Sequence, residues 1–375
     1  MNVQTAMEPH VRIRDTDGSR ASIVDVARAA GVSRQTVSNA FNNPERVAPD
    51  TLERVRREIK RLGFRPSLAA RSLRRRKAHA LGFQLNAGAD RTLGNVLDPF
   101  LVEATIAARR HDAHLITFAV GPDQDIIGEY EHLIATRMVD GFLLTNTGHD
   151  DPRPAWLQSQ NVPFASFGRI WDDPTYTGWV DVDGGSGTRA AVRHLIEQGY
   201  ERVGFLGWPV GSPVGDERRA GWLTGCHEQG VLDAALQVSS LQDVGAAAHA
   251  VAPLIGQLGS GGALVCASDT LALGAYTVLR DERIAIGPDF GLVGFDDTDL
   301  ARALGVSSVQ QPLGAIAEAV LNVVINLEDG KTPTATGLVL DPLVVARGSS
   351  QRSPVHSATL ATTSSAGDRA SIGGS

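Results

Sequence analysis

Two sets of residues in this 375-residue chain have side chains and spacings suited to chemistry. The first is Arg34, Gln35, Ser38 and Asn39, polar groups that share one face if the stretch is helical. Arg pairs bidentately with guanine, and Gln and Asn with adenine, so such a face can read base edges. The second set comprises Asp181, Asp183, Ser268, Asp269, Asp296 and Asp297, each at or just after the end of a short apolar run. Carboxylates and a hydroxyl placed there can exchange hydrogen bonds with a small polar ligand. Trp208 also follows such a run, and an indole face stacks on the C–H surface of a sugar ring.

The first set needs two short helices and a tight turn. Ser22 is a suitable N-cap, and Asp25 three residues on completes a capping box. Val26, Ala27 and Ala30 give one apolar face, and Gly31 can leave the helix at positive φ. Ser33 can cap a second helix whose buried side is Val37, Ala40 and Phe41. This arrangement suits a helix-turn-helix whose second helix enters the major groove. A helical hairpin in an all-α core would show the same two helices, and charge separates the two readings. Ala21 to Ala80 holds 14 Lys and Arg against 5 Asp and Glu, a net of +9. The whole chain carries −7, so the remainder is about −16. A basic module on an acidic body points to nucleic acid.

A third helix follows, with Pro49 at its first position and Leu52, Val55, Ile59 and Leu62 as its stripe. Gly63 ends it. Pro66 can start a short further helix through Leu68, Ala69, Ser72 and Leu73, crowded by Arg71, Arg74, Arg75, Arg76 and Lys77. That segment is either a solvated linker or one that folds on DNA with Leu73 as an apolar wedge.

The second set needs parallel strands. Runs at Leu81–Leu85, His114–Val120, Gly141–Thr145, Pro163–Phe167, Trp179–Val182, Arg202–Gly207, Ala263–Ala267 and Phe290–Phe295 alternate with helical stretches. The alternation predicts βαβ units in two similar subdomains, with ligand binding beyond the strands' carboxyl ends.

Other classes fit poorly. Cys226 and Cys266 lie far apart without metal-ligand spacing, so neither a disulfide framework nor a metal site is expected. GGSGT (184–188) lacks the lysine of a phosphate loop, and no GxSxG elbow occurs, so no enzyme is expected. The N-terminal residues lack the apolar core of an export signal, and no stretch approaches a membrane span of ~18 residues. A cytoplasmic, nucleoid-associated protein is expected.

IVDVARAAGVSRQTVSNAFNN (23–43) and RVRREIKRLGFRPSLAARSLRRRKAHALGF (54–83) resemble the DNA-binding domain and hinge of the lactose-repressor (LacI/GalR) family. ERRAGW (217–222), SDTLALGA (268–275), LVGFDDTDLA (292–301) and VQQPLGAIAEAV (309–320) extend the resemblance over roughly 22–347. It implies an all-α helix-turn-helix head and an α/β periplasmic-binding-protein-like core of two doubly wound subdomains. It also implies a homodimer or tetramer, a pseudo-palindromic double-stranded DNA operator, and a small effector, often a sugar. No cofactor is implied.

The implied organisation is a tail to 20, a head over 21–64, a hinge over 65–78, a core over 79–347 and a disordered tail over 348–375. The core would split into about 79–177 with 312–335, and about 178–311 with 336–347. By the resemblance, Ser33, Arg34, Gln35, Thr36, Ser38 and Asn39 meet DNA, Thr36 and Ser38 through phosphates. Leu73 would wedge into the central base step, with Ala70 packed beside it. The resemblance also sets Arg218, Asp296, Ser268 and Arg169 against the effector, with Phe100 as an aromatic wall; Asp181 and Trp208 join them as effector candidates by their places at strand ends. Ala48 stands where a Ser cap is usual, at some cost to the third helix.

Overall fold

Ser22 and Asp25 start the first helix by capping each other: the Ser22 amide donates to Asp25 Oδ2 at 2.9 Å, and the Asp25 amide donates back to Ser22 Oγ at 3.3 Å. The computed structural model describes residues 21–64, 78–86, 96–121, 124–331 and 337–352. The chain forms two units, Met1–Arg76 and Lys77–Ser375. The tail over 1–20 and almost all of the hinge, with Ala70 and Leu73, lie outside the described residues.

In the first unit, α1 (Ile23–Ala30), α2 (Arg34–Asn42) and α3 (Pro49–Leu62) enclose Val26, Ala27, Ala30, Val37, Ala40 and Val55. Gly31 takes φ 64°, and the turn closes where the Val32 amide donates to the Ala27 carbonyl. Phe41, expected inside, is 37 % exposed; it meets only the rim of this core, through Phe64 at 6.0 Å between centroids. Ala48 offers α3 no side-chain cap, as its type requires.

The second unit contains two six-stranded sheets. The first takes β1 (Ala80–Asn86), β2 (His114–Val120), β3 (Gly141–Leu144), β4 (Phe164–Phe167) and β5 (Trp179–Val182). Their order is β2-β1-β3-β4-β5, all parallel. Between them run α4 (Leu97–Arg110), α5 (Ile126–Ala135) and α6 (Pro152–Ser159). The second sheet takes β6 (Arg202–Gly207), β7 (Gln237–Ser239), β8 (Gly262–Cys266), β9 (Gly291–Phe295) and β10 (Ser307–Gln310), in the same relative order. Its helices are α7 (Gly184–Glu197), α8 (Pro213–Glu228), α9 (Val244–Leu258), α10 (Asp269–Asp281) and α11 (Asp299–Leu304). The chain then returns through α12 (Leu313–Glu328), whose contacts include α4, β3, β4 and β5 in the first subdomain. It adds β11 (Leu338–Leu340) beside β5 and β12 (Leu343–Val345) antiparallel to β10.

Two expected boundaries move. The strand at 179–182 and that at 338–340 belong to the first sheet, so the crossings fall near Asp183 and Asp341 rather than at 178 and 336. Alternation shows that a strand exists but not which sheet receives it. The ordered core also runs past 348, where the tail is expected to begin. Ser349 and Ser350 are buried, and Ser349 Oγ donates to the Leu292 carbonyl at 2.6 Å. The chain is described to Arg352, and 353–375 lie outside the described residues.

The glycine run 184–187 opens α7 and forms no loop. A Cβ at Gly221 would stand 2.1 Å from the Gly185 carbonyl oxygen, so α8 can cross α7 this closely only without a side chain there.

Candidate functional site

In the head, the Gly31 turn sets α2 so that Val37 and Ala40 face inward. Ser33 Oγ accepts from the Thr36 amide at 3.0 Å and caps the helix. Arg34 and Gln35 are exposed, while Thr36, Ser38 and Asn39 are half-buried along the same side. Gln35 Nε2 donates to Asn39 Oδ1 at 3.1 Å, which pre-orients two amides one turn apart. The result is a short polar ridge with its donors and acceptors outward. Among the described residues, no three His, Cys, Asp or Glu are grouped to hold a metal ion, and no helix is long and apolar enough to cross a membrane.

In the core, the carboxyl ends of the two sheets carry the second set. Each sheet reverses its strand order beside its first strand, at β1/β3 and β6/β8, where doubly wound folds open a crevice. Trp208 follows β6 and Ser268 follows β8, so both stand at that point of the second sheet. Gln242 bridges them: its Oε1 accepts from Trp208 Nε1 at 2.6 Å and from Ser268 Oγ at 2.9 Å. Sequence reasoning misses Gln242, which follows a three-residue edge strand that the sequence scarcely marks.

Arg218, on α8, is 6 % exposed. Its Nη1 donates to the Ala267 carbonyl at 2.5 Å and lies 3.7 Å from Asp296 Oδ1. The guanidinium sits 3.6 Å over the Phe295 ring and 5.4 Å from that of Trp208. Its Nε is buried with no hydrogen-bond partner among the described residues. Asp296 and Asp297 follow β9 with φ 106° and 52°. Two successive left-handed residues turn the chain so that Asp296 meets Arg218 and Gln311, whose Nε2 donates to Asp296 Oδ1 at 2.7 Å. Such backbone costs of order 1–3 kcal/mol per residue and concentrates at functional sites. Burial pushes the Asp296 carboxyl up to about 7, against the pull of Arg218. Burial likewise lowers the Arg218 pKa, with Asp296 and Asp181 opposing.

From the first subdomain, Arg169 follows β4. Its Nε lies 3.5 Å from Asp181 Oδ2, and its Nη1 donates to Glu217 Oε1 of α8 at 3.1 Å, spanning the two subdomains. Asp181 Oδ2 is buried with no hydrogen-bond partner among the described residues, and burial raises this carboxyl's pKa. Burial raises that of Glu217 as well. Glu217 lies within ERRAGW, but its partner stands 48 residues away, beyond what local spacing marks.

The structure therefore brings Arg169, Asp181, Arg218 and Asp296 into one network, beside Trp208 and Ser268. It does not bring Phe100 there. The Phe100 ring is fully buried between Phe83 and Phe167, with centroids at 6.3 and 4.6 Å, so it is core rather than cleft wall. Three further carboxylates are structural. Asp269 accepts from Thr298 and Ser308, Asp297 pairs with Arg347 at 2.6 Å, and Asp183 caps α7. Trp222 packs in the second core, as its place inside a helix suggests.

Comparison with known proteins agrees with this geometry. The sequence profile of the lacI family of bacterial regulatory proteins matches residues 22–67, and that of periplasmic-binding-protein-like domains matches 192–350. The chain is 30% identical over 342 residues to the HTH-type transcriptional regulator CelR of Thermobifida fusca, covering 88% of this chain and 98% of that one. It belongs to the LacI family. As a member it is a helix-turn-helix transcriptional regulator. A solved CelR–cellobiose complex superposes with TM-score 0.66 at 27% identity, over 88% of this chain and all of that one. The lac repressor dimer bound to operator and the anti-inducer ONPF gives 0.71 at 21% identity, over 89% and all. At that identity the second match speaks for the fold alone.

Proposed function

We propose that this LacI-family chain is a repressor whose hold on DNA is set by a neutral sugar bound between the two core subdomains. Two copies read the halves of a pseudo-palindromic operator with the Ser33–Asn39 ridge. Arg34 and Gln35 meet base edges, Asn39 reads one turn later, and Thr36 and Ser38 meet phosphates. Dimerisation makes so short a ridge selective, since each copy reads half a site.

The observation that carries the effector assignment is the buried Arg218–Asp296 pair, with Arg218 Nε and Asp181 Oδ2 lacking hydrogen-bond partners among the described residues. Buried polar atoms are normally satisfied, and the exceptions ask for a reason. Hydroxyls of a polyol supply donors to Asp181 and Asp296 and acceptors to Arg218, while Trp208 offers a stacking face. Charge favours a neutral ligand over a sugar phosphate. Each guanidinium already faces carboxylates, Arg218 with Asp296 and Arg169 with Asp181 and Glu217. The relative CelR, solved with cellobiose, supports the class. Effector binding closes the cleft and shifts one subdomain against the other, a coupling of ~1–3 kcal/mol onto DNA affinity.

The test uses the full chain. Duplexes selected from a random pool define the operator, and neutral sugars are titrated into the complex. Release of operator by one sugar, 5- to 150-fold at the typical coupling, is the expected result. No response to any sugar, or tighter DNA binding with one, overturns the effector class or the sign respectively.

A further inference from the structure

Where the chain enters the core it is held from both sides. Ala78 and His79 come just before β1, which lies between β2 and β3. From the β3 side, Asp140 takes both amides on one carboxylate: Ala78 donates to Oδ1 at 2.8 Å and His79 to Oδ2 at 2.5 Å. The Asp140 amide donates in return to the Ala80 carbonyl at 2.8 Å. From the β2 side, the His114 amide donates to the His79 carbonyl at 2.9 Å. Two successive amides turned toward one anion form a nest, and hydrogen bonds to a charged acceptor are the stronger kind.

The backbone bends to make that nest. His79 takes φ 54°, a left-handed conformation uncommon for a residue with a side chain. Its Nε2 is buried with no hydrogen-bond partner among the described residues. Both features are costly and persist only where the surroundings hold them. An ordinary strand entry is extended and needs neither. The clamp also stands on firm ground, since Asp140 leads straight into β3, whose residues are all buried. Residues 65–77 separate the described head from Ala78. The direction in which the chain leaves the core toward them is therefore set at Ala78 and His79.

We propose that Asp140 is a positioning residue for operator binding: by holding Ala78 and His79 it fixes the place and direction from which the chain runs to the head. This role rests on the two-copy operator reading given above and not on the cleft. Magnitude separates direction from mere length. Freeing two residues lengthens the tether 65–77 only slightly, which lowers the effective concentration at the second half-site by less than about twofold. Where direction counts, each copy must order those residues again on binding, and affinity falls by about tenfold or more.

The test uses the full chain with the duplex it selects from a random pool, beside the same duplex with one half scrambled. Asp140→Ala should weaken binding to the selected duplex by about tenfold or more, and to the half-scrambled one by less than about twofold. Asp140→Asn, which keeps one acceptor oxygen, should fall between wild type and Asp140→Ala. Melting curves identify the variants that are folded at the assay temperature, and Asp140→Asn carries the test should Asp140→Ala not fold. A loss on the selected duplex below about threefold, little more than tether length alone gives, overturns the proposal. An equal loss on both duplexes also overturns it and assigns Asp140 to the fold alone. A wild-type chain that binds both duplexes alike overturns the two-copy reading, and the positioning role with it.

Discussion

The head and the cleft place their working side chains in opposite ways. In the head a small apolar cluster is inside, and Arg34 and Gln35 project into solvent. In the cleft Arg218, Asp181 and Asp296 are buried, and two of their polar atoms lack hydrogen-bond partners among the described residues. On the function proposed above, the contrast follows from the ligands. DNA is a polyanion whose phosphates provide most of the attraction, so exposed donors suffice and specificity is added at the base edges. A neutral polyol brings no such field. Its recognition requires groups already stripped of water, where each hydrogen bond counts for more. The cost is a core that keeps charges inside.

Arg218→Ala should break this contrast most strongly. It leaves Asp296 and Asp181 buried without the guanidinium, and breaking a buried pair costs ~3–5 kcal/mol. Asp296 offsets part by holding a proton, which places the expectation near ~3 kcal/mol. For a unit of this size that lowers the thermal transition of the core by roughly 6–12 °C. Half-site DNA binding by the head should stay as it was. A core transition unchanged by the substitution would mean that the guanidinium is solvated and the site open.

The same contrast explains what the sequence could tell. In the head, the relations that cap the helices and order the polar ridge span three or four residues: Ser22 with Asp25, Ser33 with Thr36, Gln35 with Asn39. Helical spacing makes such pairs readable. Phe41 misled because its ring turns to Phe64 at the rim, a tertiary choice at the end of a helix. In the cleft, strand ends marked Asp296, Ser268 and Trp208, since a parallel sheet puts its ligands there. Their partners were not legible. Gln242 follows an edge strand, and Arg169 meets Glu217 across 48 residues. Phe100 failed for a related reason: family resemblance located its turn, but Phe83 and Phe167 decide where the ring goes.

Arg34→Ala sharpens the comparison from the side of the head. Arg34 is exposed, so its loss should leave both thermal transitions within a degree or so; surface changes stay within about ±0.5 kcal/mol. Affinity for the selected operator should fall by ~1–3 kcal/mol, concentrated at particular base pairs if the contact is bidentate. A loss equal on operator and random duplex would assign Arg34 to phosphate.

The smallest effect concerns pH and Asp296. Its carboxyl titrates near 7 in the folded core, with Arg218 and Gln311 facing it and Asp269 opposing its ionisation. A hydroxyl donating to the carboxylate favours the ionised form, so effector affinity should rise about tenfold from pH 6 to 8, or ~1.4 kcal/mol. Asp296→Asn should flatten that profile. Stability follows the opposite course. The folded chain holds a proton that the unfolded chain releases near 3.8, so this group's contribution is full below that value and lost as pH rises through about 7. Asp25 in the head has the reverse sign. The Ser22 hydrogen bonds lower its pKa, so its contribution is present above 3.8 and lost as pH falls through the depressed value. His194, kept neutral by burial, works against Asp296 within the core near neutral pH. The decisive quantity is therefore the difference between the wild-type and Asp296→Asn core transitions across pH 5 to 8. A difference that grows with pH in favour of the variant marks a carboxyl buried for its ligand, and a constant one would mean that Asp296 is as well solvated as the residues of the head.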